Sequence, residues 1–339
     1  MVAAPVVGRS LIFATTADGL SLPVIDVTDP RFAVADDSVS LARQAKEFVE
    51  WDRERRRLPR FLTRILLHLA SRRSRLVRAL FHSGDSYLDS LTTYVMKLGV
   101  ANLPPGFDGP IDRKIAAAPH IPLLRLRMQQ IAKLLADALV EPLQRDAAAP
   151  LHLISIAGGP AFDSINTVLM LNRAHGALLR RPIVIDVLDS EFEGPAFGAN
   201  ALAALQAAGG PLQGLAVEFI HRPYDWNDIG LLDHLVDGFA QSGDVMAASS
   251  EVGLFEYGSD SAIKANLAAL AHARVPLVAG SVTSSSDIRK QMIAETNFRL
   301  FPRGIEGFAP LAADAGYVIA ASAPAILSDQ VLLRLRRTD

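Results

Sequence analysis

Three short segments carry residue types that could hold a ligand, and each follows a short apolar run. The first is Gly158-Gly159-Pro160, the second ends in Asp189, and the third is the tetrapeptide Pro-Tyr-Asp-Trp at 223–226. Parallel strands present their carboxyl ends at one edge of a sheet, where nucleotides and cofactors bind. The chemistry expected of these segments is therefore recognition of a nucleotide-like cofactor.

The glycine turn precedes a helix-like pattern, so it can present backbone N–H groups at the positive end of a helix dipole. A phosphate-binding P-loop needs Gly followed by Lys and Ser or Thr, and no lysine lies between Lys133 and Lys264. A dinucleotide fingerprint needs a third glycine, which Pro160 and the residues after it do not supply. The spacing excludes the P-loop and leaves a nicotinamide dinucleotide as a poorly matched alternative.

The elements that must position these residues alternate between strand and helix. Five β-rich runs lie at 151–157, 182–189, 215–223, 244–250 and 276–282, and the clearest helical pattern between them is 261–273. Two later runs, 316–322 and 331–337, are joined by a short turn as an antiparallel hairpin. The pattern predicts an α/β fold with a doubly wound, mostly parallel seven-stranded sheet that ends in an antiparallel C-terminal hairpin.

Residues 1–145 are predicted to be a mainly helical N-terminal region, a lid or a dimerisation element, and 146–339 the α/β domain. Residues 124–139 have one apolar helical face, which predicts a docked helix. Residues 51–80 contain ten arginines. An RNA-binding or acidic-partner surface is one interpretation of this segment, and a solvated pair of amphipathic helices is the favoured one.

Composition limits the remaining chemistry. The 339 residues are 50% hydrophobic, and 34 basic against 36 acidic residues give a net charge of -2, so no overall bias toward nucleic acid or an anionic membrane exists. The chain has no cysteine, which excludes disulfides, thiolate zinc sites, iron-sulfur clusters and a cysteine nucleophile. We expect no metal site and no membrane-spanning segment. A cytoplasmic location is expected, and a homodimer is an open option.

From residue 151 to about 337 the chain resembles the class I (Rossmann-like) S-adenosylmethionine (SAM)-dependent methyltransferases. The resemblance rests on the strand, glycine turn and helix at 151–172, on acids after the second and third strands, and on the closing hairpin. One feature departs from the family pattern: the acid of the first strand is absent, and Ser155 and Ala157 stand where it would be.

The resemblance implies a set of cofactor-binding residues. Asp189 would accept hydrogen bonds from the ribose hydroxyls, with Asp186 and Glu191 as competitors for that role. Asp225 would accept from the adenine amino group or would only cap the next helix. The full set is Ala157, Gly158, Gly159, Pro160, Asp189, Tyr224, Asp225, Trp226 and Ser249.

Acceptor residues are expected after the fourth strand, where Glu251 and Tyr257 are the catalytic candidates. Tyr94, Met96 and Glu256 are candidates for contact with the substrate, with Lys97 beside them in sequence. His221 could titrate near neutral pH but is ranked below Glu251. The aromatic signature of amino-group methylases is missing from this loop, which disfavours methylation of DNA bases.

The function implied by the resemblance is SAM-dependent methyl transfer to a small molecule, with oxygen as the expected acceptor atom. Transfer of an aminopropyl or aminocarboxypropyl group from the same cofactor type is the first alternative. RNA methylation that uses the arginine-rich N-terminal helices is the second, although nucleic acid is disfavoured as a partner. A nicotinamide-dependent oxidoreductase is the third.

Overall fold

A seven-stranded sheet organises the C-terminal half of the chain. A computed structural model describes residues 10–57, 68–82, 89–295 and 298–336. Two short strands, β1 (Phe13–Thr15) and β2 (Ser21–Pro23), form a separate antiparallel pair. The large sheet comprises β3 (Leu151–Ile156), β4 (Ile183–Leu188), β5 (Val217–Arg222), β6 (Val245–Ser250), β7 (Leu277–Thr283), β8 (Tyr317–Pro324) and β9 (Ser328–Leu335).

The order across the large sheet is β5-β4-β3-β6-β7-β9-β8. Strands β3 to β7 run parallel, and β9 inserts antiparallel between β7 and β8. Every residue of β3 and β7 is buried, as expected of strands covered on both faces. The predicted doubly wound, mostly parallel sheet with its C-terminal hairpin is confirmed.

The described helices occupy both faces of the sheet and the N-terminal region. They are α1 (Ser38–Arg55), α2 (Arg75–His82), α3 (Ser90–Lys97), α4 (Pro110–Ala116), α5 (His120–Arg145), α6 (Phe162–His175), α7 (Glu193–Gln206), α8 (Gly230–Ser242), α9 (Leu254–Tyr257), α10 (Asp260–His272), α11 (Asp287–Ala294) and α12 (Gly304–Asp314). The helix predicted at 124–139 is the middle of the longer α5.

The N-terminal region packs against the α/β half through shared apolar and polar contacts. One apolar cluster contains Tyr94 and Met128 together with Phe162 and Phe197. The Tyr94 hydroxyl accepts from the Ile25 amide at 2.9 Å and donates to the Pro23 carbonyl at 2.7 Å. These contacts fix α3 beside the start of α6, which is where the glycine turn ends.

Part of the arginine-rich segment lies outside the described residues. Residues 58–67 fall in that part, so the two interpretations of 51–80 are not separated by the structure. The first described part of the segment, 51–57, includes the end of α1, where Arg55 and Arg56 pair with the Asp52 carboxylate at 3.0 and 2.6 Å, and its last part includes the start of α2. These two arginines are therefore engaged in contacts within the protein.

Candidate functional site

A cavity of about 410 Å³ lies at the carboxyl edge of the sheet, between the strand ends and helix α3. Its volume is within the range of small-molecule sites. The residues predicted for a site that line it are Tyr94, Ala157, Gly158, Gly159, Pro160, Asp189, Glu191, Tyr224, Asp225, Trp226, Glu251 and Tyr257. The fold thus gathers the three segments that the sequence singled out.

The glycine turn is held by a carboxylate from the next strand. The Gly159 amide donates to Asp189 Oδ2 at 2.8 Å, and the Glu191 amide donates to Asp189 Oδ1 at 2.8 Å. Burial raises the pKa of Asp189, and these two amide bonds partly offset the rise. An anionic ligand would need the Gly159 amide, and that amide is already bonded to the Asp189 carboxylate.

Gly159 is required at its position for two reasons. Its φ is +56°, a conformation that favours glycine, and a Cβ there would lie 2.5 Å from the Ser90 Cβ. The Ser90 hydroxyl in turn donates to Glu191 Oε2 at 2.6 Å, and the Ser90 amide donates to the same oxygen at 3.2 Å. Helix α3 thereby closes one side of the cavity, a role for Ser90 that the sequence did not indicate.

The segment after β5 contributes three side chains with different environments. Tyr224 is buried, and its hydroxyl donates to Asn266 Oδ1 at 2.6 Å, which anchors it to α10. Asp225 is exposed and accepts from the Asn227 amide at 2.9 Å. Trp226 lies half-buried in the cavity wall. The ring of Trp226 is thus closer to solvent than that of Tyr224.

A buried cluster of charges, formed around Glu251, also borders the cavity. Glu251 accepts from Lys97 Nζ at 2.5 Å and from Arg127 Nε at 3.1 Å, and Arg127 also reaches Glu256 at 3.4 Å. Burial alone would raise the pKa of Glu251, but the two cations outweigh it and lower that pKa. Glu251 is therefore a stable anion and a poor proton acceptor.

The remaining candidates divide into those in the wall and those behind it. Tyr257 lines the cavity, and its pKa is raised to about 12 by burial and by the charge of Glu256. Met96 packs in the apolar core, while Ser249 and Glu256 are buried behind the wall. Lys97 lines the cavity directly.

Two titratable residues near the strand ends have structural partners. His221 Nε2 lies 2.9 Å from the Asp189 carbonyl oxygen, outside the cavity lining. Asp186 lies 2.9 Å from His152 Nδ1 and 3.3 Å from Arg222 NH2. Neither residue lines the cavity, so Asp189 and Glu191 are the acids after β4 that do.

The cavity is predominantly acidic. Among the described residues that line it, Asp189, Glu191, Asp225 and Glu251 carry carboxylates and Lys97 carries the ammonium. Burial raises the pKa of Glu191 as it does that of Asp189. A positively charged ligand would stabilise the ionised form of these carboxylates, whereas they would repel a polyanionic ligand.

Within the described ranges, no helix is long and apolar enough to cross a membrane. In the same part of the chain, no group of three or more His, Cys, Asp or Glu side chains is arranged to hold a metal ion.

The chain was compared with known proteins. No family model matches it, and no curated protein does. Among solved structures, a possible exported protein from Bordetella parapertussis is 17% identical and matches over 89% of this chain and all of its own, with a TM-score of 0.49.

Two other solved structures match a smaller part of the chain. An O-methyltransferase from neocarzinostatin biosynthesis, bound to S-adenosyl-L-homocysteine (SAH) and a dihydroxynaphthoic acid, is 16% identical over 66% of this chain with a TM-score of 0.39. This chain spans 58% of that protein. A SAM-dependent methyltransferase from Clostridium acetobutylicum is 10% identical, over 61% of this chain and 92% of its own, with a TM-score of 0.39. Similarities this distant do not bear on activity.

Proposed function

We propose that this protein transfers the methyl group of SAM to a hydroxyl of a small molecule. The observation that carries the proposal is the charge of the cavity around the glycine turn. Four carboxylates and one ammonium line it, and the Gly159 amide is already bonded to Asp189. Such a site suits a cofactor of net positive charge.

The alternative cofactors fit this arrangement less well. A pyrophosphate would have to lie against the glycine turn, where Asp189 occupies one amide and like charges repel. The sulfonium and ammonium of SAM instead give the ligand a positive end. A nicotinamide dinucleotide is therefore disfavoured on electrostatic grounds as well as on the glycine spacing.

The geometry supports a placement for each part of the cofactor. The methionine end would face Ala157, Gly158 and Gly159, and the ribose would approach the buried carboxylate of Asp189. Adenine would then reach Asp225 and Trp226, which line the same cavity. Trp226 is the favoured ring neighbour because the Tyr224 hydroxyl is engaged with Asn266.

The acceptor would enter at the end bounded by Lys97, Glu251 and Tyr257. In the transfer, the acceptor oxygen forms a bond to the methyl carbon as the sulfur–carbon bond breaks, and the hydroxyl proton leaves to solvent or a neighbouring base. The Lys97 ammonium would stabilise the oxygen as its proton departs. Glu251 and the protonated Tyr257 phenol suit acceptor binding better than proton removal.

Cofactor identity is tested first, by calorimetry with SAM, SAH and NAD⁺ on the purified full chain. From the charge of the cavity we expect SAM and SAH to bind. The affinity for NAD⁺ should be at least about 100-fold lower. Tighter binding of NAD⁺ would overturn the proposal in favour of an oxidoreductase.

The transferred group is tested with SAM labelled either in the methyl or in the aminocarboxypropyl carbons, against a panel of hydroxylated aromatic and aliphatic compounds and RNA. Methyl label in a small product supports the proposal. Aminocarboxypropyl label in the product would establish aminocarboxypropyl transfer, and use of decarboxylated SAM would establish aminopropyl transfer. Methyl label in RNA would establish RNA methylation. A cytoplasmic location and a homodimer remain parts of this proposal that need separate measurements.

A further inference from the structure

A completely buried carboxylate lies directly behind the glycine turn, and the hydrogen-bond donors that act on it are neutral groups. Asp163 is completely buried in the first turn of α6, and neither of its carboxylate oxygens makes a hydrogen bond of normal geometry. The donors that act on it, the Ser249 hydroxyl and the Ser164 amide, are neutral, and their hydrogen bonds to Asp163 lie outside normal geometry. Buried charges are ordinarily paired with an opposite charge, so the negative charge of Asp163 favours a positive partner from outside the chain.

The position of this carboxylate is defined by Gly158. A Cβ on Gly158 would lie 2.2 Å from Ser155 Oγ and 3.9 Å from Asp163 Oδ1. Ser155 and Ser249 are paired across the adjacent strands β3 and β6. Gly158 itself lines the cavity, so the carboxylate and the Ser155 hydroxyl lie directly behind a residue of the cavity wall.

Two charged side chains act on Asp163 from the acceptor end of the cavity. Burial and the negative charge of Glu251 raise the pKa of Asp163 to about 6, while Ser249, the Ser164 amide and Lys97 oppose that rise. At neutral pH the group is therefore mostly ionised. Lys97 is already bonded to Glu251, so it does not serve as a dedicated counter-ion for Asp163.

A purely structural role accounts less well for these features. An acid in the first turn of a helix interacts favourably with the helix dipole, and Asp163 is such an acid. An exposed acid would provide that interaction without the cost of burial. A fully buried carboxylate that has only neutral donors beside it destabilises the folded chain unless a cation approaches it.

We propose that Asp163 is the counter-charge for the ammonium of the cofactor's methionine end, acting as a positioning residue across the bare Gly158 backbone. This inference rests on the proposed function. Strand β3 itself offers no carboxylate at this point, since Ser155 lies near the end of the strand and Ala157 in the turn after it.

The test compares SAH with an SAH analogue that lacks only the amino group, by calorimetry on the full chain. The Asp163→Asn variant should bind SAH about 10-fold more weakly than wild type, a change of the size expected from the loss of one buried charge near the ligand. Its affinity for the deamino analogue should stay within about twofold of wild type, since that ligand has no ammonium. Ser164→Ala, which alters the neighbouring buried hydroxyl on the same helix, should leave both affinities unchanged.

A pH series supplies a second readout. Binding of a cation lowers the pKa of Asp163, so wild-type affinity for SAH should fall as pH decreases through about 6. Asp189 and Glu191 also have raised pKa values, and their contribution persists in the variant. The part of the pH dependence that disappears in Asp163→Asn belongs to Asp163.

The outcomes separate the two proposals. If wild type binds neither SAH nor SAM, the proposed function fails and this inference fails with it. If wild type binds SAH but Asp163→Asn binds it equally well, or loses SAH and the deamino analogue to the same extent, Asp163 is structural and only the inference is overturned. Thermal unfolding of each variant without ligand identifies any variant that is misfolded. Asp163→Glu, which restores the negative charge, is then measured as well. An affinity for SAH above that of Asp163→Asn supports the inference, and an affinity no higher than that of Asp163→Asn contradicts it.

Discussion

Lys97 Nζ lies 2.5 Å from Glu251 Oε2, and both side chains are buried, with Arg127 on the other oxygen of the same carboxylate. Lys97 and Arg127 come from α3 and α5 of the N-terminal region, and Glu251 follows strand β6. The two halves of the chain are thus joined by ion pairs at one end of the cavity. A rigid wall on this side of the cavity is the physical consequence.

Glu251→Gln should reduce the free energy of unfolding by about 3 kcal/mol, because it leaves the buried Lys97 without its counter-charge and Arg127 with Glu256 alone. The measurement is urea denaturation at pH 7, with the exposed Glu218→Gln in β5 as the matched control. The lowered pKa of Glu251 means that its stabilisation is present above the pKa of the unfolded chain and is lost as pH falls through the folded value. A loss below about 1 kcal/mol would show that the cluster is solvated in solution.

Asp163→Asn should change stability in the opposite direction. Its pKa is raised to about 6, so the folded state is penalised above that pH, and the penalty vanishes below the pKa of the unfolded chain. The variant should therefore be more stable than wild type by about 1–3 kcal/mol at pH 7.5 without cofactor, and equal to it near pH 3.5 if both remain folded. Equal denaturation midpoints at pH 7.5 would mean that an internal donor satisfies the carboxylate.

Asp189→Ala should weaken SAH binding by about 1–3 kcal/mol, the range for loss of hydrogen bonds to a charged group. The carboxylate also holds the Gly159 and Glu191 amides, so part of the loss comes from a looser turn. Asp189→Asn keeps one acceptor oxygen and should lose less. Calorimetry on both variants checks this, and wild-type affinity in Asp189→Ala would show that Asp189 is not the ribose acid.

Trp226 should report cofactor binding by its fluorescence. The chain has two tryptophans, Trp51 and Trp226, and only Trp226 lines the cavity. In a Trp51→Phe background, addition of SAH should quench or shift the emission as adenine packs on the indole. Trp226→Ala should weaken SAH binding by about 1–2 kcal/mol, whereas a spectrum unaffected by SAH would place adenine elsewhere.

The order of strands and helices was predictable because its signal is local. Strands β3 and β7 are buried on both faces and therefore appear in sequence as short continuous apolar runs. The alternation of those runs with helical patterns specifies parallel crossovers, and the late pair of runs joined by a short turn specifies a hairpin. The fold class follows from these patterns without knowledge of any tertiary contact.

The positions of glycines and acids at strand ends also follow from sequence, because every parallel strand ends at the same edge. Gly158, Gly159, Asp189 and Asp225 could be placed in one cavity on that ground alone. Their hydrogen bonds could not be predicted from sequence, because the pairing of the Gly159 amide with Asp189 depends on how two loops pack.

Only the tertiary structure determined which N-terminal side chains reach the site. Ser90 and Lys97 enter the cavity from α3, whereas Met96, adjacent in sequence, points into the core. Helix periodicity shows that neighbours face apart but not which face meets the sheet. Asp163 likewise looks like an ordinary first-turn acid in the sequence. Its burial behind Gly158 arises from the packing of α6 on β3, which the sequence alone does not show. The energetic cost of the buried charge depends on what surrounds it.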